Sequence, residues 1–338
     1  SLKKEANMCL KGLVPLSWTG YIRLDSTVVF KNDSGYRMSS LLVKGYVDSG
    51  KTVITVNSSA MDAVVKGVYQ YTELGAIFQQ TLNKYTHSPA AAAPVSNYSI
   101  DMAADIKPDP LYAVLLPGLF FDKNMSLRGR LGDSKNDSSR YLDLSVPALT
   151  YNGNAVAALK AHAIDIGDSL KFTAIADTVK VNALQLYTTS VQGGLSNNKL
   201  SANFSTNDQD GKERYAFAIT GDQANSLYQL QLKDKLTLNY DNWLVNGNNT
   251  ILFGKTGFNV NQLVISKGIE QIAVNSVGRE LNAPIDVKVD QFSLGNIRSL
   301  YNGGSLPVDG RLNANVRVSN IDKNVPTFDG TLSVDSLQ

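Results

Sequence analysis

The sequence predicts a mainly β protein, and three observations carry that reading. Apolar residues recur at every second position in run after run: Leu312, Ala314, Val316 and Val318; Ile285, Val287 and Val289; Tyr215, Phe217 and Ile219; Leu200, Ala202 and Phe204; Leu170, Phe172 and Ala174. Strict alternation sends one set of side chains to each face of a strand, so each run has one apolar and one polar face. Short polar clusters separate the runs, at the spacing of all-β folds. Helical periodicity, by contrast, is confined to a few short stretches.

The elements follow in order. Residues 20–57 read as three strands: Ile22, Leu24, Val28 and Phe30 share a parity, Asn32–Gly35 turns, Leu41–Val47 follows, and Asp48–Gly50 turns into Thr52–Val56. Residues 61–94 break the alternation. Leu74, Ile77, Phe78 and Leu82 fall at helical spacing with Tyr85, while Gln79, Gln80, Asn83 and Lys84 lie off that face. The reading is an amphipathic helix capping the sheet with Leu74, Ile77, Phe78 and Leu82. Residues 87–94 form a small-residue linker, on which the helix could move as a lid or a plug. Strand pattern resumes at Ile100, Met102, Ala104 and Ile106. Pro110 and Pro117-Gly118 bracket one to two helical turns near 110–118. From Met125 to Val289 about fifteen strands follow, with turns such as Asn152-Gly153, Asn207–Gly211 and Asn246-Gly247. Phe292, Leu294, Ile297 and Leu300 indicate a helix near 291–301, before strands over 308–318 and 328–334. A short helix, then Gly or Pro, then strands is a layout that recurs near 60–106, 108–131 and 290–318. The organisation is a β segment over 1–60, helix and linker over 61–94, and a continuing sheet over 95–338.

Composition narrows the function. The chain has 32 basic and 30 acidic residues, a net charge of +2 with no basic stripe, which argues against nucleic acid as partner. Asn, Ser and Thr fill the polar positions, as in many extracytoplasmic β proteins. Cys9 stands alone, so no internal disulfide forms, and two histidines, His87 and His162, are too few for a histidine-rich metal site. No stretch approaches the ~20 apolar residues of a membrane span. Both ends look cut, so the chain reads as a segment of a longer protein, with any membrane anchor outside it.

The chemical motifs are mostly absent. There is no phosphate loop, no GxSxG elbow, and too few histidines to favour a serine triad. Asp101 with Asp105, and Asp165 with Asp168, are the carboxylate pairs that glycoside hydrolysis would use; solvated surface carboxylates are the ordinary reading of both. Asn207–Gly211 starts like a calcium loop, but Glu213 comes too early for the last ligand, and a hairpin turn is the simpler reading. The chain is read as a non-enzyme without cofactor or metal. Its long apolar face can be buried in a sandwich, in a closed barrel, or in a curved trough.

A resemblance favours the trough. Asp290–Leu300 leads into Leu306-Pro307-Val308-Asp309-Gly310-Arg311-Leu312-Asn313-Ala314, and Val325-Pro326-Thr327-Phe328-Asp329-Gly330-Thr331-Leu332 follows. This resembles the repeating pattern of the TamB/AsmA-like envelope proteins, in which a short helix precedes a G-x-L-x-A-x-x-x-V strand and a P-x-x-x-G-x-L strand. Leu111–Leu119 before Leu127-Arg128-Gly129-Arg130-Leu131 is similar to another family feature. The resemblance implies an elongated open β-groove (β-taco) in the periplasm of a Gram-negative envelope, anchored in the inner membrane by a segment outside this chain. It implies phospholipid or another acyl-chain ligand passing between the membranes, a role in outer-membrane biogenesis, and an outer-membrane barrel assembly partner of the TamA/BamA type. On this reading the groove lining is Ile100, Met102, Phe172, Phe204, Phe217, Leu230, Leu232, Ile285, Val287, Leu312 and Val316. The alternatives are a surface or adhesin-like β-sandwich or solenoid binding glycan or protein and, behind that, a carbohydrate-active enzyme.

Overall fold

Strand accounts for 71% of the computed structural model and helix for 8%, so the chain is mainly β, as its alternation predicts. The structure describes residues 6–11, 19–31, 34–86, 95, 97–132, 140–167, 169–182, 184–224, 227–295, 310–323 and 325–336. Two units divide at residue 182.

The first unit holds β1 (Ala6–Lys11), β2 (Thr19–Lys31), β3 (Ser34–Asp48), β4 (Lys51–Ser58), β5 (Met61–Val68), α1 (Leu74–Thr86), β6 (Ser99–Ile106), α2 (Leu111–Leu115), β7 (Leu119–Phe120), β8 (Met125–Gly132), β9 (Tyr141–Tyr151), β10 (Asn154–Ile166) and β11 (Ser169–Val181). Pairing is antiparallel throughout and follows chain order, except that β6 pairs with β8 and the two-residue β7 joins β9. Among the described residues β1 has only β2 as partner, so this sheet does not close into a barrel.

Register aligns the apolar parity across the sheet. One row runs Ile22, Val43, Val56, Ala63, Ala104, Leu127, Leu144, Ala161, Ala174 from β2 to β11. The next row on that face runs Gly20, Gly45, Ile54, Val65, Met102, Gly129, Leu142, Ala163, Phe172. The opposite face carries exposed cross-strand pairs: Lys66 with Asp48 at 2.7 Å, Arg130 with Asp101 at 2.6 Å, and Arg128 with Asp105 at 2.7 Å. Each contributes little by itself, and together they keep this face solvated.

Two expectations are corrected. Residues 61–68 are strand β5, laddered to β4 and β6; the helical stretch begins only at Tyr71. Tertiary pairing decides here, because Val64 and Val65 suit a strand and the helical spacing starts at Leu74. Residues 291–293 end β21 of the second unit and are strand; Leu294 and Gly295 are helical as expected, and the rest of the helix expected over 291–301 lies outside the described residues. The linker over 87–94 lies outside them as well.

The second unit holds β12 (Leu184–Ser196), β13 (Lys199–Asn207), β14 (Glu213–Ala224), β15 (Leu227–Leu238), β16 (Asp241–Val245), β17 (Thr250–Gly254), β18 (Gly257–Asn261), β19 (Leu263–Lys267), β20 (Glu270–Ser276), β21 (Ile285–Ser293), β22 (Arg311–Ser319) and β23 (Thr327–Asp335). Its apolar rows include Val191, Phe204, Phe217, Leu236 and Trp243 on β12 to β16. On the C-terminal strands, Val245, Ile265, Ile272, Val289, Ala314 and Leu332 form one row, beside Leu263, Val274, Val287, Val316 and Gly330.

Asparagine repairs the ladder of the second unit where its strands break. Residues 246–249 interrupt the run from β16 to β17, and β15 pairs with both halves. The fully buried Asn249 fills the gap: its Oδ1 accepts from Leu232 N at 2.8 Å, and its Nδ2 donates to the carbonyl of Leu232 at 2.9 Å. Asn246 does the same for Val264 N (2.8 Å) and the carbonyl of Gln262 (2.6 Å). Asn259, also fully buried, donates to the carbonyls of Gly278 and Glu280. An amide carries a donor and an acceptor at the spacing of a peptide unit, so it can stand in for a missing ladder rung. Asn249→Ala should therefore strand the Leu232 amide and carbonyl and cost about 2–4 kcal/mol, read as a lower denaturant midpoint with an unchanged slope.

Candidate lipid-binding face

Fully buried apolar residues in the first unit concentrate at the strand ends, beneath the helices. Under α1, Ile77, Ile100, Tyr69, Tyr98 and Leu131 form one cluster, with Leu74, Ile54, Val65 and Met102 against it. Under and beside α2, Phe121, Met125 and Val146 form another, flanked by Tyr112, Ile106, Leu144 and Leu159. Tyr112 packs tilted against Phe121, ring centroids 5.2 Å apart, and donates its hydroxyl to the carbonyl of Ala60. Leu111 N donates to Asp109 Oδ1, which starts α2.

Between the clusters the face is only partly covered. In the two aligned rows every residue that bears a side chain stays partly accessible, the small Ala63, Ala104, Ala161, Ala163 and Ala174 included, and Leu142 is 40% exposed. An alanine on the inner face of a sandwich would be sealed by the opposing sheet. Across nine strands at ~4.8 Å spacing the rows run about 40 Å.

The anticipated lining residues fall on the apolar faces but differ in access. Met102 and Phe172 share a row of the first unit and are half-buried, Met102 against the cluster under α1. In the second unit Phe204 stacks on Phe217 at 4.9 Å, and Leu230, Leu232, Val287, Leu312 and Val316 are half-buried. Ile100 and Ile285 are 0% and 7% exposed; in this structure they are core, because α1 covers the first and neighbouring chain covers the second. The cap face of α1 is Leu74, Ile77 and Tyr85, with Thr81 Oγ1 bonded back to the carbonyl of Ile77. Phe78 is off that face and 45% exposed, since one residue turns it 100° from Ile77. The Leu82 side chain lies outside the described residues.

A charged clamp holds the end of α1. Asp165 on β10 is 4% exposed; Lys84 Nζ reaches its Oδ2 at 2.9 Å and the Gly167 carbonyl at 2.7 Å, while Arg140 Nε lies 2.6 Å from the same oxygen. This corrects the surface reading of Asp165, which no sequence periodicity marked. Asp101 and Asp105 are ion-paired to arginines on the polar face, so they do not form a catalytic pair, and the Asp168 side chain lies outside the described residues. His162 bonds Asp143 at 2.6 Å beside an open depression of about 380 Å³ that Ser126, Ser145, Leu144 and Ile175 also line. Asn207–Gly211 is a hairpin turn in which Asp208 Oδ1 accepts from the amides of Asp210 and Lys212. Trp243 is buried and stacks on Phe292 at 5.7 Å, so it offers no platform for sugars. Among the described residues no group of three or more His, Cys, Asp or Glu could hold a metal, and no helix is long and apolar enough to cross a membrane.

No protein-family model, curated protein or solved structure matches the chain.

Two predictions follow from α1. Asp165→Asn leaves two half-buried cations without their anion and should cost about 2–4 kcal/mol, whereas Lys84→Met should cost clearly less, because Arg140 still compensates Asp165; chemical denaturation of both variants tests the order. Burial pushes the Tyr69 hydroxyl up to about 12, and burial followed by the bond to Asp165 raises that of Tyr85 further. A tyrosine held protonated stabilises the fold fully below its ordinary value near 10 and loses that contribution as pH climbs toward the raised one. Melting temperature should therefore hold steady up to about pH 9.5 and fall above about pH 10, with tyrosinate absorbance lagging behind that of free tyrosine.

Proposed function

We propose that the chain is a groove segment that shelters lipid acyl chains from water. The partly accessible double row on the first unit supports this reading: an apolar face about 40 Å long, flanked by α1 and α2, whose alanines stay partly exposed. Acyl tails lying along these rows leave water at about 0.8 kcal/mol per CH2, while headgroups stay at the polar rim. The chemistry is passive and needs no residue with a special pKa. On this reading the chain belongs to an envelope protein of the TamB/AsmA-like kind, working in the periplasm between an inner-membrane anchor and an outer-membrane assembly barrel, and moving phospholipid between the two membranes.

The test is direct. Native mass spectrometry after mild extraction should show lipid adducts, and a fluorescent fatty acid should bind saturably; clean protein that also ignores the probe rejects the proposal. Substitution separates groove from core. Leu142→Asp keeps its charge hydrated, so it should cost under about 1 kcal/mol and weaken probe binding, whereas Ile100→Asp buries an unpaired charge and should cost several kcal/mol. Equal destabilisation by the two would mean that the face is sealed.

A further inference from the structure

The first unit ends, on the α2 side, in a projecting apolar tip. β9 and β10 run on beyond β8: Ser145 stands opposite Ser126, and residues 146–151 continue for a further ~20 Å to the hairpin at Asn152-Gly153. The segment after α2 lies along this extension, with Leu119 opposite Tyr151 and Phe120 opposite Thr150. Its side chains divide. Tyr112 and Leu119 pack into the cluster of Phe121, Met125 and Val146. Leu115, Leu116 and Phe120 are left outside, 41%, 51% and 64% exposed, beside Tyr151 at 45%.

This exposure is built into the turn. Leu116 N donates to the Tyr112 carbonyl at 2.8 Å, Leu119 N to that of Leu116 at 3.0 Å, and Asn152 N to that of Gly118 at 3.2 Å. Gly118 holds a φ of +89°, and a Cβ there would come within 2.0 Å of Asn152 Oδ1, so the turn requires glycine.

We infer that this tip inserts into the surface of a phospholipid bilayer, with Leu115, Leu116 and Phe120 among the acyl chains and Tyr151 at headgroup level. A charge carried into hydrocarbon is costly, and no charged residue occurs from Pro110 to Phe121 or from Leu144 to Leu159. Charges begin at the borders: Asp122 and Lys123 follow Phe121, and Lys180 is opposite Ala155 in the ladder, all three exposed. The turn bonds keep the backbone paired, as hydrocarbon demands, and tyrosine is favoured where one end is apolar and the other wet. The four side chains expose about 400 Å², half of the ~800 Å² that each partner buries in a standard protein interface. A folded partner or a second copy therefore finds too little surface here, whereas a bilayer needs no matching shape. The contact does not rest on the groove, because it needs only a membrane surface and the tip itself.

The test uses the whole chain with Cys9→Ser and one new cysteine carrying the fluorophore NBD. The cysteine is placed by Leu116→Cys or, for comparison, by Ile166→Cys at the opposite strand end, where exposure is 52%. With phosphatidylcholine vesicles the probe at 116 should brighten and shift to the blue, in high salt as in low, while the probe at 166 stays as in water. The unlabelled chain should float with the vesicles. Leu116→Asp with Phe120→Asp should weaken flotation at least about tenfold, Leu116→Ser, which disturbs the fold less, should weaken it in the same direction, and Leu116→Phe should preserve it. Absence of flotation, an equal response at both probe positions, or flotation indifferent to these substitutions overturns the inference. Flotation that needs anionic lipid and vanishes in high salt overturns it in favour of electrostatic adsorption. Self-association in lipid-free buffer that the aspartates abolish overturns it in favour of a second copy. The aspartates should leave fatty-acid binding in lipid-free solution unchanged, so failure of the tip and failure of the groove are read separately.

Discussion

Antiparallel register is the constraint on which everything else in this molecule rests. With a side-chain period of two, a slip of one residue in any strand would send its apolar set to the charged face. From β2 to β11 the pairing holds Ile22 in line with Val43, and so on through to Ala174, without a polar intruder. Where the register shifts by a residue, the chain takes it up as a bulge: Thr188 and Gln291 have positive φ at such points, and the alternation resumes beyond them. Short hairpins fix most registers locally, and only β7 and the broken strands β16 to β19 depart from sequential pairing.

Such a sheet has surplus apolar surface, and the chain covers only part of it. The helices α1 and α2 seal the rows nearest the strand ends and leave the middle rows open. The clamp on α1 joins Lys84 to Asp165 across 81 residues of sequence, so the helix is placed by a charge as much as by its apolar face. Arg140 makes that arrangement tolerable, because it keeps the carboxylate neutralised whether or not the lysine is docked.

Much of this was legible in the residues. Alternation at Leu312–Val318 and Leu170–Ala174 gave strands, the spacing of Leu74, Ile77 and Tyr85 gave α1, and Pro110 with Pro117-Gly118 framed α2. What escaped was non-local. Val64 and Val65 needed their partners on β4 and β6 to read as strand. Ile100 resembles Met102 in sequence, and only the helix above them seals the first and leaves the second partly accessible. Asp165 looked like surface because its two cations come from distant elements. The many asparagines read as mere polarity, whereas Asn249 and Asn259 are structural amides whose role appears only beside the broken ladder.

The uncovered rows also shape the energetics of the fold. Heat-capacity and denaturant sensitivity both scale with the apolar surface that unfolding newly exposes. A face already wet in the folded state contributes little to either. Per residue, the heat-capacity increment should therefore fall below the ~12–15 cal/mol/K of globular domains, which makes the stability curve broad and shallow. Such a protein changes little in stability between cold and warm surroundings, and it draws that evenness from the same side chains that leave its floor open.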